Sequence, residues 1–322
     1  MPTNKEFGMT SGSSIDISVV VVSWNTRDML LDCLTSVRDA LSDFRSEIIV
    51  VDNASSDGSA GAVAERYPEV RVIVNSMNVG FAKANNIGIA HTEGKYLALI
   101  NSDVIVQPNC IATLFHFMQS NPRVGIAAPK ILNPDLTLQE SCRAFPSVWN
   151  TFCRTFALDT LFPKLQLFSG QWMRSWSHDH VREVDVLSGC FWIIRHEAMA
   201  EVGGLDETFF MYAEDKDLCR RFRDAAWTII YYPLASAIHF GGASSSRQPV
   251  RFYVEMQRAN LRYWRKHHGR FGVVAFVVLT LIHQLIRIAG AAFLWLLYRP
   301  YRSRMQALLE RSIACTRFLL HA

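Results

Sequence analysis

Ile17-Ser18-Val19-Val20-Val21-Val22-Ser23 is a β-branched run long enough for a strand buried on both faces. Such strands belong inside parallel sheets, where crossover helices cover both faces. The following residues supply a helix: Asn25-Thr26 can cap it, and Met29, Leu30, Cys33, Leu34, Val37 and Leu41 trace an apolar stripe. The pattern then repeats. Glu47 to Val51 is a second apolar run, Val70 to Val74 a third strand, Gly80 to Ala90 a helix and Tyr96 to Ile100 a fourth strand. This alternation predicts an α/β domain with a mainly parallel sheet and right-handed crossovers.

Polar residues collect just after these strands: Asn25 after the first, Asp52-Asn53-Ala54-Ser55-Ser56-Asp57-Gly58 after the second, Asn101-Ser102-Asp103 after the fourth. Open α/β sheets bind ligands outside the carboxyl ends of their strands. A single Asp or Asn is an ordinary turn residue, but recurrence at three strand ends indicates a site. No GxGxxG follows the first strand and no GxxxxGK followed by Ser or Thr occurs, so dinucleotide-binding and P-loop readings lose their main support.

The 322 residues, half of them hydrophobic, suffice for one large domain or a domain with an appendage. The net charge of +4 conceals a division: residues 251–322 carry twelve Lys and Arg against Glu255 and Glu310, or +10, and the remainder carries −6. The basic residues flank an apolar segment rather than form a groove, which argues against nucleic acid as a partner. Seven dispersed cysteines without a CxxC pair argue for a reducing compartment and against a disulfide framework or structural zinc. Residues 1–15 read as a disordered lead, not a signal peptide.

In Phe209-Phe210-Met211-Tyr212-Ala213-Glu214-Asp215-Lys216-Asp217-Leu218, three carboxylates follow an aromatic run. Leu218, Cys219 and Phe222 recur at helical spacing, placing the acids in a first helical turn, where the dipole favours ionised carboxylates. An ionised carboxylate beside an aromatic wall suits a general base, and Asp215 is the residue assigned to it. Asp217 reads instead as the i,i+4 partner of Arg221.

These segments, together with Asn78-Val79-Gly80-Phe81-Ala82-Lys83-Ala84-Asn85-Asn86 and Gly204-Leu205-Asp206, resemble the inverting family 2 glycosyltransferases of the GT-A fold, most closely their rhamnosyltransferase-like branch. The resemblance covers roughly residues 15–245, with the motifs in family order. It implies a Rossmann-like nucleotide-sugar half over 16–105 and an acceptor half over 106–250. Asp52 would accept a hydrogen bond from the donor base, in a pocket lined near Val22, Trp24, Asn25 and Asn53. Gly80 would admit the nucleotide, with Lys83 or Asn85 near the ribose or diphosphate. Asp103 would hold a divalent cation, Mg²⁺ or Mn²⁺, with His239 reaching the metal or the diphosphate. Asn101 stands where many relatives carry an acid, so it would orient sugar or diphosphate.

The implied reaction is a single displacement with inversion, Asp215 taking the acceptor proton and Glu214 being its nearest rival. On the acceptor side stand Gly189 and Trp192, within the apolar strand-like stretch Val184 to Ile194. The implied donor is a dTDP or UDP sugar, best dTDP-rhamnose, and the acceptor a saccharide or lipid-linked saccharide. A non-catalytic nucleotide-sugar sensor or membrane scaffold is the alternative.

The aromatic-dense residues 141–180 suggest an acceptor surface or a membrane-touching flap, or else a compact subdomain core. Gly272 to Tyr298 is apolar and long enough to span a bilayer, but Thr280, His283, Gln284 and Arg287 form one polar stripe on it. Both flanks are basic. The expectation for residues 251–322 is therefore a helical tail associating with the cytoplasmic face of the cell membrane, peripheral or re-entrant through 272–298. A true span ranks second, and a soluble helix packed on the catalytic domain, or on a second copy in a homodimer, third.

Overall fold

The computed structural model describes residues 15–242, 248–297 and 299–322. The expected disordered lead, apart from Ile15, and residues 243–247 of the Ser- and Gly-rich loop lie outside them. In chain order the strands are β1 (Ile17–Ser23), β2 (Ser46–Asp52), β3 (Arg71–Val74), β4 (Tyr96–Asn101), β5 (Val104–Val106), β6 (Val124–Leu132), β7 (Cys142–Arg143), β8 (Arg182–Glu183), β9 (Val186–Leu187), β10 (Phe191–Arg195) and β11 (Thr228–His239). The helices are α1 (Arg27–Ala40), α2 (Ser59–Arg66), α3 (Phe81–Ile89), α4 (Cys110–Ser120), α5 (Val148–Thr155), α6 (Leu158–Leu161), α7 (His196–Val202), α8 (Glu214–Asp224), α9 (Pro249–His267), α10 (Arg270–Leu297) and α11 (Arg302–Leu320).

The chain forms two compact units. The first comprises residues up to 143, 178–210 and 214–242, and holds the mixed, mostly parallel sheet ordered β3-β2-β1-β4-β10-β6-β11-β5, with β8 on β11. Ile17, Val19, Val20 and Val21 have no exposed surface, because β1 is flanked by parallel β2 and β4 and covered on both faces. The register places Ser23 opposite Asp52 and Val22 opposite Asn101, so the polar residues after three strands share one edge. β10 runs antiparallel between β4 and β6.

Val184 to Ile194 is not one strand. It breaks at Ser188-Gly189-Cys190, because the Ser188 N–H bonds the Ser141 carbonyl, while the Cys190 carbonyl accepts from the Asn101 N–H at 2.9 Å. β9 therefore pairs with β7 and β10 with β4. At the far end of β10, buried Arg195 donates to the carbonyls of Met118, Asn121 and Val124, satisfying groups that the end of α4 leaves open. β11 slips register between Tyr232 and Ser236, across Pro233, which has no N–H to donate. Beyond that bulge it pairs with β5, setting His239 opposite Val104 and beside Asp103.

The second unit comprises 144–177, 211–213 and the residues from 248, so the aromatic segment, expected within the acceptor half, packs with the tail. α10 lies against α5, α9 and α11. Its polar stripe faces these neighbours: Thr280 and Gln284 are buried, Gln284 Nε2 and Arg287 donate to the Tyr253 hydroxyl at 3.0 and 2.8 Å, and burial with Arg154 and Arg287 pushes His283 down to about 4. The opposite face, with Phe271, Val274, Leu285, Ile286, Phe293 and Leu296, is exposed, as are Trp149, Phe152 and Phe156 of the aromatic segment. By length and composition alone α10 could cross a membrane. Its distribution is the reverse of a soluble amphipathic helix.

Candidate active site

At the shared strand edge, Asp52 is buried; its Oδ2 accepts from the Ser55 N–H at 3.0 Å, while its Oδ1 has no partner. Val22 and Trp24 are half-buried beside it. Asn25, at φ 56°, accepts from the Ser56 N–H at 2.7 Å and so braces the loop after β2. Asn53 is also engaged by protein: its Nδ2 donates to Asn78 Oδ1 at 2.9 Å, and its Oδ1 accepts from Asn75 Nδ2 and the Val79 N–H. Its side chain shapes the turn that carries Gly80 rather than facing outward.

Gly80 adopts φ 88° at the start of α3, a region costly for any other residue. Asn85 is buried and donates to the Phe81 carbonyl of its own helix, and Lys83 is exposed and paired with Glu207 at 3.8 Å. The Asn85 side chain is thus turned into the protein, while the Lys83 ammonium remains at the surface. Asn86, the last residue of the Asn78 to Asn86 motif, joins α3 to the Gly204-Leu205 segment through both main-chain groups of Leu205.

The acids after the aromatic run open α8, as the periodicity predicts. The two residues before it, Tyr212 and Ala213, both have positive φ (71° and 63°), strain of the kind concentrated at functional sites. Asp217 is fully buried and bonded to Arg221 at 2.9 Å, whose guanidinium also holds the carbonyls of Val202, Gly203 and Gly204. That network is structural. A Cβ built on Gly189 would lie 3.6 Å from both Asp215 Cβ and the Trp192 ring, so this glycine, the indole and the acid are neighbours.

Glu214 and Asp215 occupy different environments. Glu214 is buried, and its Oε2 has no hydrogen-bond partner. Burial first, and the Asp215 charge second, push its carboxyl up to about 8. It is therefore largely neutral at pH 7, whereas Asp215 remains partly accessible at the helix start.

Asp103 Oδ1 lies 3.3 Å from His239 Nε2, and His239 Nδ1 lies 2.7 Å from Gln139 Oε1. Gln139 comes from a turn a hundred residues away in sequence, and no local pattern singles it out. Among the described residues no group of three or more His, Cys, Asp or Glu is placed to hold a metal. One carboxylate and one imidazole fit a divalent cation that completes its shell with phosphate oxygens and water.

An unpartnered carboxylate oxygen at the strand edge, a carboxylate–imidazole pair and an acid at a helix start thus belong to one sheet, in the setting where open α/β folds bind ligands. The family described as Glycosyl transferase family 2 matches residues 18–173, and Glycosyl transferase family group 2 matches 96–309. The chain is 30% identical to the N-acetylglucosaminyl-diphospho-decaprenol L-rhamnosyltransferase of Mycobacterium tuberculosis, across 69% of this chain and 75% of that one. It is 27% identical to the rhamnosyltransferase WbbL of Escherichia coli, across 70% and 83%. Among solved structures, the mannosyltransferase PcManGT of Pyrobaculum calidifontis, in complex with GDP-Man and Mn²⁺, superposes with a TM-score of 0.56 at 17% identity, covering 98% of this chain and 91% of that one. The chain belongs to the family 2 glycosyltransferases, in their rhamnosyltransferase-like branch, and is a glycosyltransferase.

Proposed function

We propose that the enzyme transfers rhamnose from dTDP-rhamnose, with inversion, to a hydroxyl of a lipid-linked saccharide during cell-surface polysaccharide synthesis. The carrying observation is Asp52 Oδ1, a buried carboxylate oxygen without a partner at the strand edge. Such an atom calls for a donor, and the N3–H of thymine or uracil supplies one. The rhamnosyl donor is supported by the two rhamnosyltransferase relatives, and the lipid-linked acceptor by the name of the mycobacterial one.

In this reading Asp215 accepts the proton of the attacking hydroxyl, while Glu214, neutral at pH 7, leaves it the local negative charge. Gly189 borders the acid and would face the acceptor sugar, whereas Trp192 is buried and backs Gly189 from the core instead of stacking on a sugar. Asp103 and His239 would hold Mg²⁺ or Mn²⁺, which when bound would neutralise charge on the departing nucleoside diphosphate. Asn101 stands at the same edge to orient sugar or diphosphate.

The second unit would lie on the cytoplasmic membrane surface, α10 in the plane of the interface. Its single exposed apolar face, the polar stripe turned onto α9 and the basic flanks support this in-plane reading. The test is nucleoside diphosphate release by detergent-held protein over a donor panel, with and without a lipid-linked acceptor. Acceptor-dependent release from dTDP-rhamnose alone is expected; equal release from UDP-hexoses or GDP-mannose would reject the assignment of the sugar.

A further inference from the structure

The orientation of Gln139 can be read from its partners. Its Nε2 donates to the main-chain carbonyl of His239 at 3.1 Å and to Asn133 Oδ1 at 2.9 Å. Asn133 is oriented in turn, because its Nδ2 donates to the Leu138 carbonyl and the Thr137 hydroxyl. Carbonyl oxygens only accept, so the amide nitrogen of Gln139 faces them and its Oε1 faces the imidazole. Oε1 lies 2.7 Å from His239 Nδ1, and Nδ1 must therefore carry a proton. In the neutral ring Nε2 then bears a lone pair, and it points at Asp103 Oδ1 from 3.3 Å. Two acceptors held this close repel unless positive charge sits between them.

We infer that Gln139 is a positioning residue: it holds His239 in the tautomer with a bare Nε2, making the imidazole a cation ligand beside Asp103. Its bond to the His239 carbonyl also fixes the ring's place at the end of β11. This rests on the reading that Asp103 and His239 hold a divalent cation. Partners of this kind, which orient a ligating histidine, typically change metal affinity by about 10–100-fold when removed.

The experiment titrates Mn²⁺ into the full-length, detergent-held protein with dTDP present, following free Mn²⁺ by electron paramagnetic resonance. Gln139→Leu should weaken binding by about 10–100-fold, while Gln139→Glu, which still accepts from Nδ1, should stay within about threefold of wild type. Binding unchanged in Gln139→Leu, or lost equally in Gln139→Glu, would overturn the proposal. Imidazole ¹⁵N spectra of metal-free protein in alkaline buffer, with His239 assigned by His239→Asn, give a readout independent of metal: a proton on Nδ1 is expected, and one on Nε2 refutes it. Mn²⁺ binding that survives Asp103→Asn would instead remove the cation site itself, whereas Asp103-dependent binding indifferent to Gln139→Leu removes only the role of Gln139.

Discussion

Phe210 leaves no room for a side chain on Gly80: a Cβ there would lie 2.5 Å from the Phe210 carbonyl oxygen, which also accepts from the Phe81 N–H at 2.6 Å. The turn before α3 is thereby locked to the aromatic run that precedes the acids of α8 in sequence. Gly80→Ala must relieve both this contact and a φ of 88°, so a loss of about 2–4 kcal/mol is expected in urea unfolding, with weaker nucleotide binding. Wild-type stability in that variant would show that the turn yields.

Asp215→Asn should lower turnover by about 10²–10⁴-fold with donor binding and melting temperature unchanged, since only proton acceptance is lost. Steady-state kinetics with saturating donor read this directly. Full turnover would reassign the base.

Glu214 supplies a pH signature. Its folded-state value, about 8, stands above the ordinary 4.5, so the native protein holds this proton more tightly than the unfolded chain. Stability is complete below the ordinary value, falls as pH rises from 4.5, and the loss is complete above about 8. Glu214→Gln removes the ionisation, and its melting temperature should gain on wild type progressively over that window. Activity at neutral pH should persist, because the amide replaces a carboxyl that is already uncharged. A pH-independent difference between the two proteins would refute the assignment.

Asp52→Ala removes the unpartnered oxygen at the nucleotide edge. Loss of a charged hydrogen bond weakens dTDP binding by about 1.5–3 kcal/mol, measurable by calorimetry. The Asp215 variant should bind dTDP as wild type does, which separates nucleotide recognition from proton transfer.

The exposed face of α10 predicts membrane behaviour. Replacing Leu285, Ile286, Phe293 and Leu296 by Glu should abolish flotation with vesicles rich in anionic lipid while leaving the fold intact. Protein that resists alkaline extraction from native membranes would indicate a span instead.

Much of the sheet was legible in the chain because its signals are local. The run from Ile17 to Ser23 is buried on both faces, and Asp52 and Asn101 end their strands, as alternation of apolar runs and polar loops predicts. The acids of α8 fall in its first turn for the same reason. Side-chain direction was not legible. Asn53 and Asn85 have the composition of ligand-binding residues, yet their amides are used by the main chain and side chains around them. The Thr280 to Arg287 stripe could be recognised by its spacing, but its turning inward onto Tyr253 depends on α9.

By itself the sequence determined the order of strands and helices, the edge at which polar residues gather and the acid-bearing helix start, since periodicity and turn chemistry involve only neighbours along the chain. Only the tertiary structure decided which of those polar groups stay free. Gln139 meets His239, Phe210 meets Gly80, and Glu214 loses its charge through contacts or burial that arise when distant segments pack, and no window of sequence contains both partners.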